Sequence, residues 1–112
     1  MKMLRAVYLT LLPTIVLLAT TANAGASDRE LGQQLARQCS ACHGKNGIAV
    51  DPESSNLAGQ SALYLEKSLK DYKTGARQDR RMSLIAQGLS DDDIKALAAW
   101  YSSFTIEVTP PQ

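Results

Sequence analysis

The sequence predicts an all-α domain. Apolar residues recur at helical spacing, residues that favour helix caps stand at the starts of these stretches, and no stretch alternates as a β-strand does. Ser27 and Glu30 have the spacing of a capping box, so a first helix is expected over about residues 28–38. Residues 44–60 combine glycine, proline and scattered polar residues without a period, which is typical of a loop.

Two further helices are expected in the middle of the chain. Ser61 is placed to cap a second helix, and Gly75 stands where that helix should end. A short helix is expected after Met82, ending at Gly88. The apolar stripe of the second helix consists of Leu65, Leu69 and Tyr72.

The last helix has the clearest pattern. Ser90 with Asp93 three residues later predicts a capping box at its start. Its apolar residues recur at i, i+3, i+4 and i+7, namely Ile94, Leu97, Ala98 and Tyr101. Residues 105–112 contain two prolines and are expected to form a loose tail on the surface. The prediction is therefore three to four helices joined by loops.

Residues 1–24 are typical of a secretory signal peptide. Lys2 and Arg5 precede an apolar stretch over residues 6–19, and Ala-Asn-Ala at 22–24 offers a cleavage site. A permanent membrane anchor is the alternative, but the stretch contains Pro13 and is shorter than the roughly 20 residues that span a bilayer. We therefore expect export to the periplasm, with no stable membrane insertion after cleavage.

The mature chain, residues 25–112, is expected to be a single domain. Cleavage removes Lys2 and Arg5 from the 12 basic residues, which leaves ten against 11 acidic residues, or a formal charge of −1. This charge does not favour a nucleic-acid partner. A domain of this size buries little more than about 60% of its unfolded surface, so a large apolar cofactor would add needed core, and the apoprotein is expected to fold poorly.

The segment CSACHG at residues 39–44 contains both cysteines and the only histidine of the chain. A disulfide between Cys39 and Cys42 would close almost no loop and stabilise little. A zinc site lacks further Cys or His ligands, and a thioredoxin-like pair belongs beside a strand–helix–strand unit that this chain lacks. The order C-x-x-C-H instead favours covalent haem attachment: the two sulfurs lie one helical turn apart, and His43 is carried beneath the iron as proximal ligand.

The iron then needs a sixth ligand or keeps an open position. Met1 and Met3 are removed with the signal peptide, so Met82 is the only thioether left as distal ligand. The alternative is that Met82 fills the core and the iron is five-coordinate, as in ligand-binding or peroxidase-like haems. Iron ligated by both His43 and Met82 favours an electron carrier, because no position is left for a substrate.

Four segments resemble class I c-type cytochromes, including the small single-haem bacterial proteins and single halves of dihaem carriers. These are CSACHG, NLAGQ at residues 56–60, the lone Met82, and LSDDDIKALAAWYSS near the end. The resemblance implies the cytochrome c fold around one covalently bound haem c, with Met82 where the family carries its axial methionine. It also implies that the first and last helices cross, packing Leu35 and Gly32 against Leu97 and Trp100.

Two details of the haem environment stay open. His43 should donate its second ring N–H to a backbone carbonyl, and Pro52 and Ser55 are both candidates. Similar families commonly have proline directly before N-L-A-G-Q, where this chain has Ser55. The aromatic residues of the mature chain are expected in the core or haem pocket rather than in an electron wire, among them Tyr64, Tyr72, Trp100 and Tyr101.

The sequence therefore predicts a periplasmic protein that cycles haem iron between Fe(II) and Fe(III) and is not itself an enzyme. Its expected partners are a dehydrogenase or reductase complex as electron donor and a terminal oxidase or reductase as acceptor. Three alternatives are a dedicated cytochrome subunit of a periplasmic dehydrogenase, an open-iron haem enzyme or gas sensor, and a haem-free thiol oxidoreductase. Residues 67–81 hold six basic and two acidic residues, so they form either a docking surface for acidic partners or an ordinary solvated surface.

Overall fold

The computed structural model describes residues 24–112, and over this range every regular element is helical. The all-α prediction is confirmed. The helices are α1 (Ala24–Leu35), a 3₁₀ turn (Ala36–Gln38), α2 (Ser40–His43), α3 (Ala62–Thr74), α4 (Met82–Gln87) and α5 (Asp91–Ser102). Within the described range, no helix is both long and apolar enough to cross a membrane. The predicted signal peptide lies outside the described residues, except for Ala24.

The first helix begins earlier than predicted. α1 starts at Ala24, so Ser27 lies inside the helix, and the expected capping box at Ser27 and Glu30 does not form its start. Ala24 and Ala26 have high helix propensity. Because the helix already includes the residues before Ser27, the Ser27–Glu30 pattern does not mark its start. The predicted end is confirmed, because the chain remains helical through Gln38 as a 3₁₀ turn.

The other predicted caps are confirmed. The Ser61 hydroxyl accepts a hydrogen bond from the Tyr64 backbone N–H at 3.2 Å, and Gly75 ends α3 in the left-handed conformation at φ 84°. Ser90 and Asp93 form the complete capping box of α5, since each side chain accepts from the other residue's backbone N–H. These local hydrogen bonds fix the ends of α3 and α5, the helices that frame the cleft described below.

α1 and α5 cross where Gly32 meets the backbone of α5. A Cβ added at Gly32 would lie 2.0 Å from the Ala96 carbonyl oxygen and 2.8 Å from the Trp100 Cβ, so only glycine permits this approach. Leu35 and Trp100 pack against the buried cluster that contains Leu97, as predicted for crossing first and last helices. α3 in turn packs against α5 and α4.

The loop over residues 44–60 folds back on itself and onto α5. The Gly47 carbonyl accepts from the N–H groups of Leu57 and Ala58, at 2.7 and 3.1 Å. The Gly59 N–H donates to the Tyr101 carbonyl at 2.9 Å, which fastens the loop to α5. Residues 105–112 lack regular structure and are exposed, as predicted, although Ile106 lies against Gly59.

Candidate haem site

The cysteine–histidine motif lies on a continuous run of helical turns after α1. The His43 N–H donates to the Cys39 carbonyl at 2.9 Å, so Cys39 and Cys42 lie one turn apart on the same side. Both cysteines are half-buried free thiols. The motif therefore presents two sulfurs and one imidazole together, as its spacing predicted.

One cleft is lined by all four residues that the sequence analysis selected, Cys39, Cys42, His43 and Met82. The motif comes from α2 and the turn before it, whereas Met82 begins α4 some 40 residues later. Much of the lining is apolar and comes from the long loop, α3, α4 and α5: Leu57, Leu65, Leu69, Ile85 and Leu97. The fold thus brings a distant thioether to the same cavity as the imidazole and thiols.

His43 is buried, with 9% of its surface exposed, and its ring is held by the loop. Nδ1 lies 2.7 Å from the Ser55 carbonyl oxygen. A carbonyl only accepts, so Nδ1 carries the proton and the lone pair of a neutral ring is on Nε2, the atom left for a metal. The structure thereby selects Ser55 over Pro52, which a sequence without knowledge of the loop path could not do.

Asp79 fixes the backbone at Met82. Its Oδ1 accepts from the N–H groups of Arg81 and Met82, each at 2.8 Å, and these two hydrogen bonds lower the pKa of the Asp79 carboxyl. This role of Asp79 was not among the sequence predictions. Aspartate favours turns in which its side chain accepts from backbone N–H groups two or three residues on, and this preference is the signal that could have revealed it.

Arg81 joins the Met82 segment to the loop after the haem motif. Its guanidinium donates to Asp51 at 2.5 Å and to Glu53 at 3.2 Å, and lies 4.0 Å from the Cys42 sulfur. A hydrogen bond from the Glu53 N–H lowers the pKa of Asp51, and Arg81 lowers it further. These contacts join residues about 30 positions apart in an irregular region, so no periodicity or motif could have predicted them.

The side of the cleft near Cys39 is buried. Burial raises the pKa of the Cys39 thiol and of the neighbouring Tyr101 hydroxyl. Tyr101 is 2% exposed, and its hydroxyl has no hydrogen-bond partner of good geometry in the described part of the chain. The Cys39 thiol is the polar neighbour of this hydroxyl and is a weak hydrogen-bond partner.

These observations fit a haem. Two thiols and an imidazole with a free Nε2 share one wall, a thioether approaches from another element, and the surroundings are largely apolar. Tyr64 and Tyr72 also line the cleft, as expected for haem-pocket aromatics. Trp100 does not line it and instead packs edge-on against Phe104, with ring centroids 4.9 Å apart.

The basic residues of the 67–81 segment are almost all matched locally. Lys73 pairs with Asp91 at 3.3 Å, and the Arg77 guanidinium lies over the Tyr72 ring at 4.7 Å from its centroid. The remaining ion pairs are Lys67 with Asp71, Lys70 with Glu66, Arg80 with Glu53, and Arg81 with Asp51 and Glu53. The positive charge apparent in the sequence is therefore balanced by acidic residues from other segments.

Comparisons with known proteins find several similar chains. The family model described as "Cytochrome c" matches residues 29–104. Cytochrome c-554(548) of Halomonas halodenitrificans is 47% identical over 81 residues, which cover 70% of this chain and 98% of that protein. The protein named thiosulfate dehydrogenase electron acceptor in Stutzerimonas stutzeri is 38% identical over 69 residues, covering 59% of this chain and 32% of that one.

A solved structure is also similar. Reduced recombinant cytochrome c4 from Pseudomonas stutzeri matches with a TM-score of 0.65 and 30% identity, covering 71% of this chain and 50% of that one. The chain thus spans nearly all of the Halomonas protein but only half or less of the other two.

Proposed function

Because the chain belongs to the cytochrome c family, whose members carry covalently bound haem c and transfer electrons rather than act as enzymes, we propose that it is a periplasmic single-electron carrier with iron bound by His43 and Met82. When bound, the haem supplies a one-electron couple between Fe(II) and Fe(III). Cys39 and Cys42 would hold it through two thioether bonds. The chain's own residues then determine how the iron is bound and what reaches it.

The observation that supports the ligand assignment is the meeting of His43 and Met82 at one cleft. The Ser55 carbonyl holds His43 in the tautomer that leaves Nε2 for iron. Met82 is the only methionine among residues 24–112, and its backbone is fixed by Asp79. Two side-chain ligands leave no position for a substrate, which suits a carrier and not an enzyme.

Export is proposed from the first 24 residues. The charged start, the apolar stretch over residues 6–19 and the Ala-Asn-Ala segment at 22–24 together favour a cleaved signal peptide. The mature domain would then be residues 25–112, free in the periplasm. Determining the N-terminal residue of the purified protein tests this, and Gly25 is the expected result.

Redox proteins are the partners of cytochromes c, and we propose a dehydrogenase or reductase complex as donor and a terminal oxidase or reductase as acceptor. One similar protein is named as the electron acceptor of a thiosulfate dehydrogenase, which favours a dehydrogenase as donor. The second candidate function, a dedicated dehydrogenase subunit, has the same support. It predicts copurification with that enzyme and an interface well above the roughly 1,200 Å² of weak redox encounters.

The balanced charges of the 67–81 segment favour an ordinary solvated surface over an electropositive docking surface. Five of its six basic residues are paired with carboxylates, and the sixth, Arg77, lies over an aromatic ring. Such pairs leave little net positive field to attract an acidic partner from a distance.

The test is the visible spectrum of the purified protein, oxidised and then reduced with dithionite, before and after carbon monoxide is added. A sharp reduced c-type spectrum that carbon monoxide changes only slowly, together with rapid carbon monoxide binding by Met82→Ala, is the expected result. Ile85→Ala is the matched control, because Ile85 lines the same cleft from the same helix but offers no ligand. It should resist carbon monoxide like the parent.

Other outcomes would contradict the proposal in different ways. Rapid carbon monoxide binding by the unaltered protein would favour the open-iron enzyme or gas sensor. A colourless protein that is active on disulfides would show that the two cysteines act as a thiol redox pair and do not hold a haem.

A further inference from the structure

The segment that carries Met82 has little apolar anchorage. Of the six residues of α4, only Ala86 is buried, Leu84 is 72% exposed, and Ile85 lines the cleft, where a bound haem would cover it. α4 packs mainly against α3 and not against the cysteine–histidine side of the cleft. Apolar packing within the protein therefore does not by itself explain how Met82 is held at the cleft that it shares with His43.

Polar contacts across the cleft come from two adjacent arginines. In the described chain, the hydrogen bonds and ion pairs that join residues 76–87 to residues 39–60 all involve Arg80 or Arg81. Arg81 reaches two carboxylates, Asp51 and Glu53, and is 36% exposed. Arg80 reaches only Glu53, at 3.3 Å, and is 79% exposed. An arginine that is less exposed and contacts two carboxylates stabilises a structure more than one in a single exposed pair. Arg81 should therefore hold the two segments together more strongly than Arg80 does.

The carboxylate side of this contact is anchored to the haem motif. The N–H groups of Val50 and Asp51 both donate to the Cys42 carbonyl, at 3.0 and 3.2 Å. The Asp51 side chain is in turn held by the Glu53 N–H at 2.9 Å and is only 22% exposed. Asp51 is thus hydrogen-bonded directly to Cys42, the residue before His43.

The arginine side is anchored to Met82. Asp79 accepts from the backbone N–H groups of both Arg81 and Met82, which fixes the two peptides as one unit. The Arg81 carbonyl also accepts from Leu84 and Ile85, each at 3.1 Å, at the start of α4. Moving the Arg81 backbone would therefore move Met82 with it.

We propose that Arg81, paired with Asp51 and Glu53, is a positioning residue that holds Met82 at the sixth coordination position of the iron. This inference rests on the proposed ligation by Met82. The three residues together are called the arginine clamp. Its loss should let the Met82 segment move away more often and so admit external ligands, while the thioether bonds and His43 stay in place.

The probe is carbon monoxide, added to the dithionite-reduced holoprotein. Arg81→Gln should bind it roughly tenfold faster than the parent, since two charge-assisted contacts are lost. The double variant Asp51→Asn/Glu53→Gln removes the same contacts from the other side and should reproduce the effect. Arg80→Gln, the matched control on the neighbouring residue, should stay within about twofold of the parent.

Two further variants separate positioning from general instability. Ser90→Ala weakens the cap of α5 without touching the clamp, so it should lower stability and leave carbon monoxide binding at the parental rate. Arg81→Lys keeps one charge but not the two-pronged contact, so it should lie between the parent and Arg81→Gln. If Arg81→Gln yields no holoprotein, Arg81→Lys and the double variant decide the question.

The outcomes distinguish the clamp from the ligand assignment. If Met82→Ala binds carbon monoxide quickly while Arg81→Gln and the double variant match the parent, the clamp is wrong and the ligation stands. If the parent binds as quickly as Met82→Ala, the proposed ligation itself fails. If Ser90→Ala raises the rate of carbon monoxide binding as much as Arg81→Gln does, the faster binding by Arg81→Gln is due to ordinary destabilisation.

Discussion

The crossing of α1 and α5 predicts a large effect for the smallest possible substitution, Gly32→Ala. The added methyl carbon would lie 2.0 Å from the Ala96 carbonyl oxygen and 2.6 Å from its carbonyl carbon. Ordinary contact begins near 3.4 Å, so the two backbones would have to separate by about 1.4 Å. No side-chain rotation can relieve a clash with backbone.

The magnitude follows from two opposing contributions. Overpacking of this kind costs up to about 3 kcal/mol, whereas replacing glycine by alanine inside a helix gains about 1 kcal/mol. The expected net loss of unfolding free energy is about 2 kcal/mol. For a domain of this size it corresponds to a melting temperature lower by roughly 8–16 °C.

Gly88→Ala is the matched control. Gly88 has φ −79°, which alanine adopts readily, and an added Cβ would meet its nearest atom, the Ile85 carbonyl oxygen, at an ordinary 3.5 Å. This variant should be neutral or more stable by up to about 1 kcal/mol. Thermal unfolding of the holoproteins, followed by circular dichroism, measures both. A Gly32→Ala protein that melts within about 3 °C of the parent would refute the tight crossing.

Four further predictions concern the cap of α5, the cofactor and the surface. Ser90→Ala should lower the unfolding free energy by about 1 kcal/mol in urea titrations. Hydrogen bonds from Ser90 lower the pKa of Asp93 below 3.8, so its carboxylate stabilises the fold at neutral pH; the stability lost in Asp93→Asn should be constant above about pH 5 and shrink below about pH 4. The Cys39→Ala/Cys42→Ala protein should lack haem and show no cooperative thermal transition. Raising the ionic strength from about 10 to 150 mM should slow electron transfer to an acidic partner less than about threefold. A steeper decline of the electron-transfer rate would support residues 67–81 as a docking surface.

The sequence predicted best the features that depend on neighbouring residues. The starts of α3 and α5 follow from Ser61 and Ser90, whose hydroxyls bond to backbone three residues away. The same reasoning was wrong at Ser27, where an equally good capping pattern lies inside a helix that begins at Ala24. A capping pattern states a local preference, and whether the helix ends there depends on the residues upstream.

The haem site likewise contains features that the sequence predicts and features that depend on the fold. The cysteine–histidine motif could be interpreted from its spacing, and Met82 was selected because no other soft ligand remained in the mature chain. The choice of Ser55 as partner of His43 depended on the path of a loop held by Gly47 and Gly59. That path is set by contacts with α5, which no periodicity in the loop encodes.

The composition of the core explains why a polar clamp would be needed at all. In the described part of the chain, half of the ten buried apolar residues are alanines: Ala36, Ala58, Ala86, Ala96 and Ala98. Leu65 and Leu97 also line the cleft, but only 5% and 2% of their surfaces are exposed, so most of each side chain packs inside the protein. Such a core leaves the helices little apolar surface of their own with which to hold the far wall in place. With Leu84 exposed, the segment bearing Met82 would depend on the haem, on the iron bond itself and on the contact of Arg81 with Asp51 and Glu53. This dependence makes Arg81 a more sensitive position than its exposed neighbour Arg80.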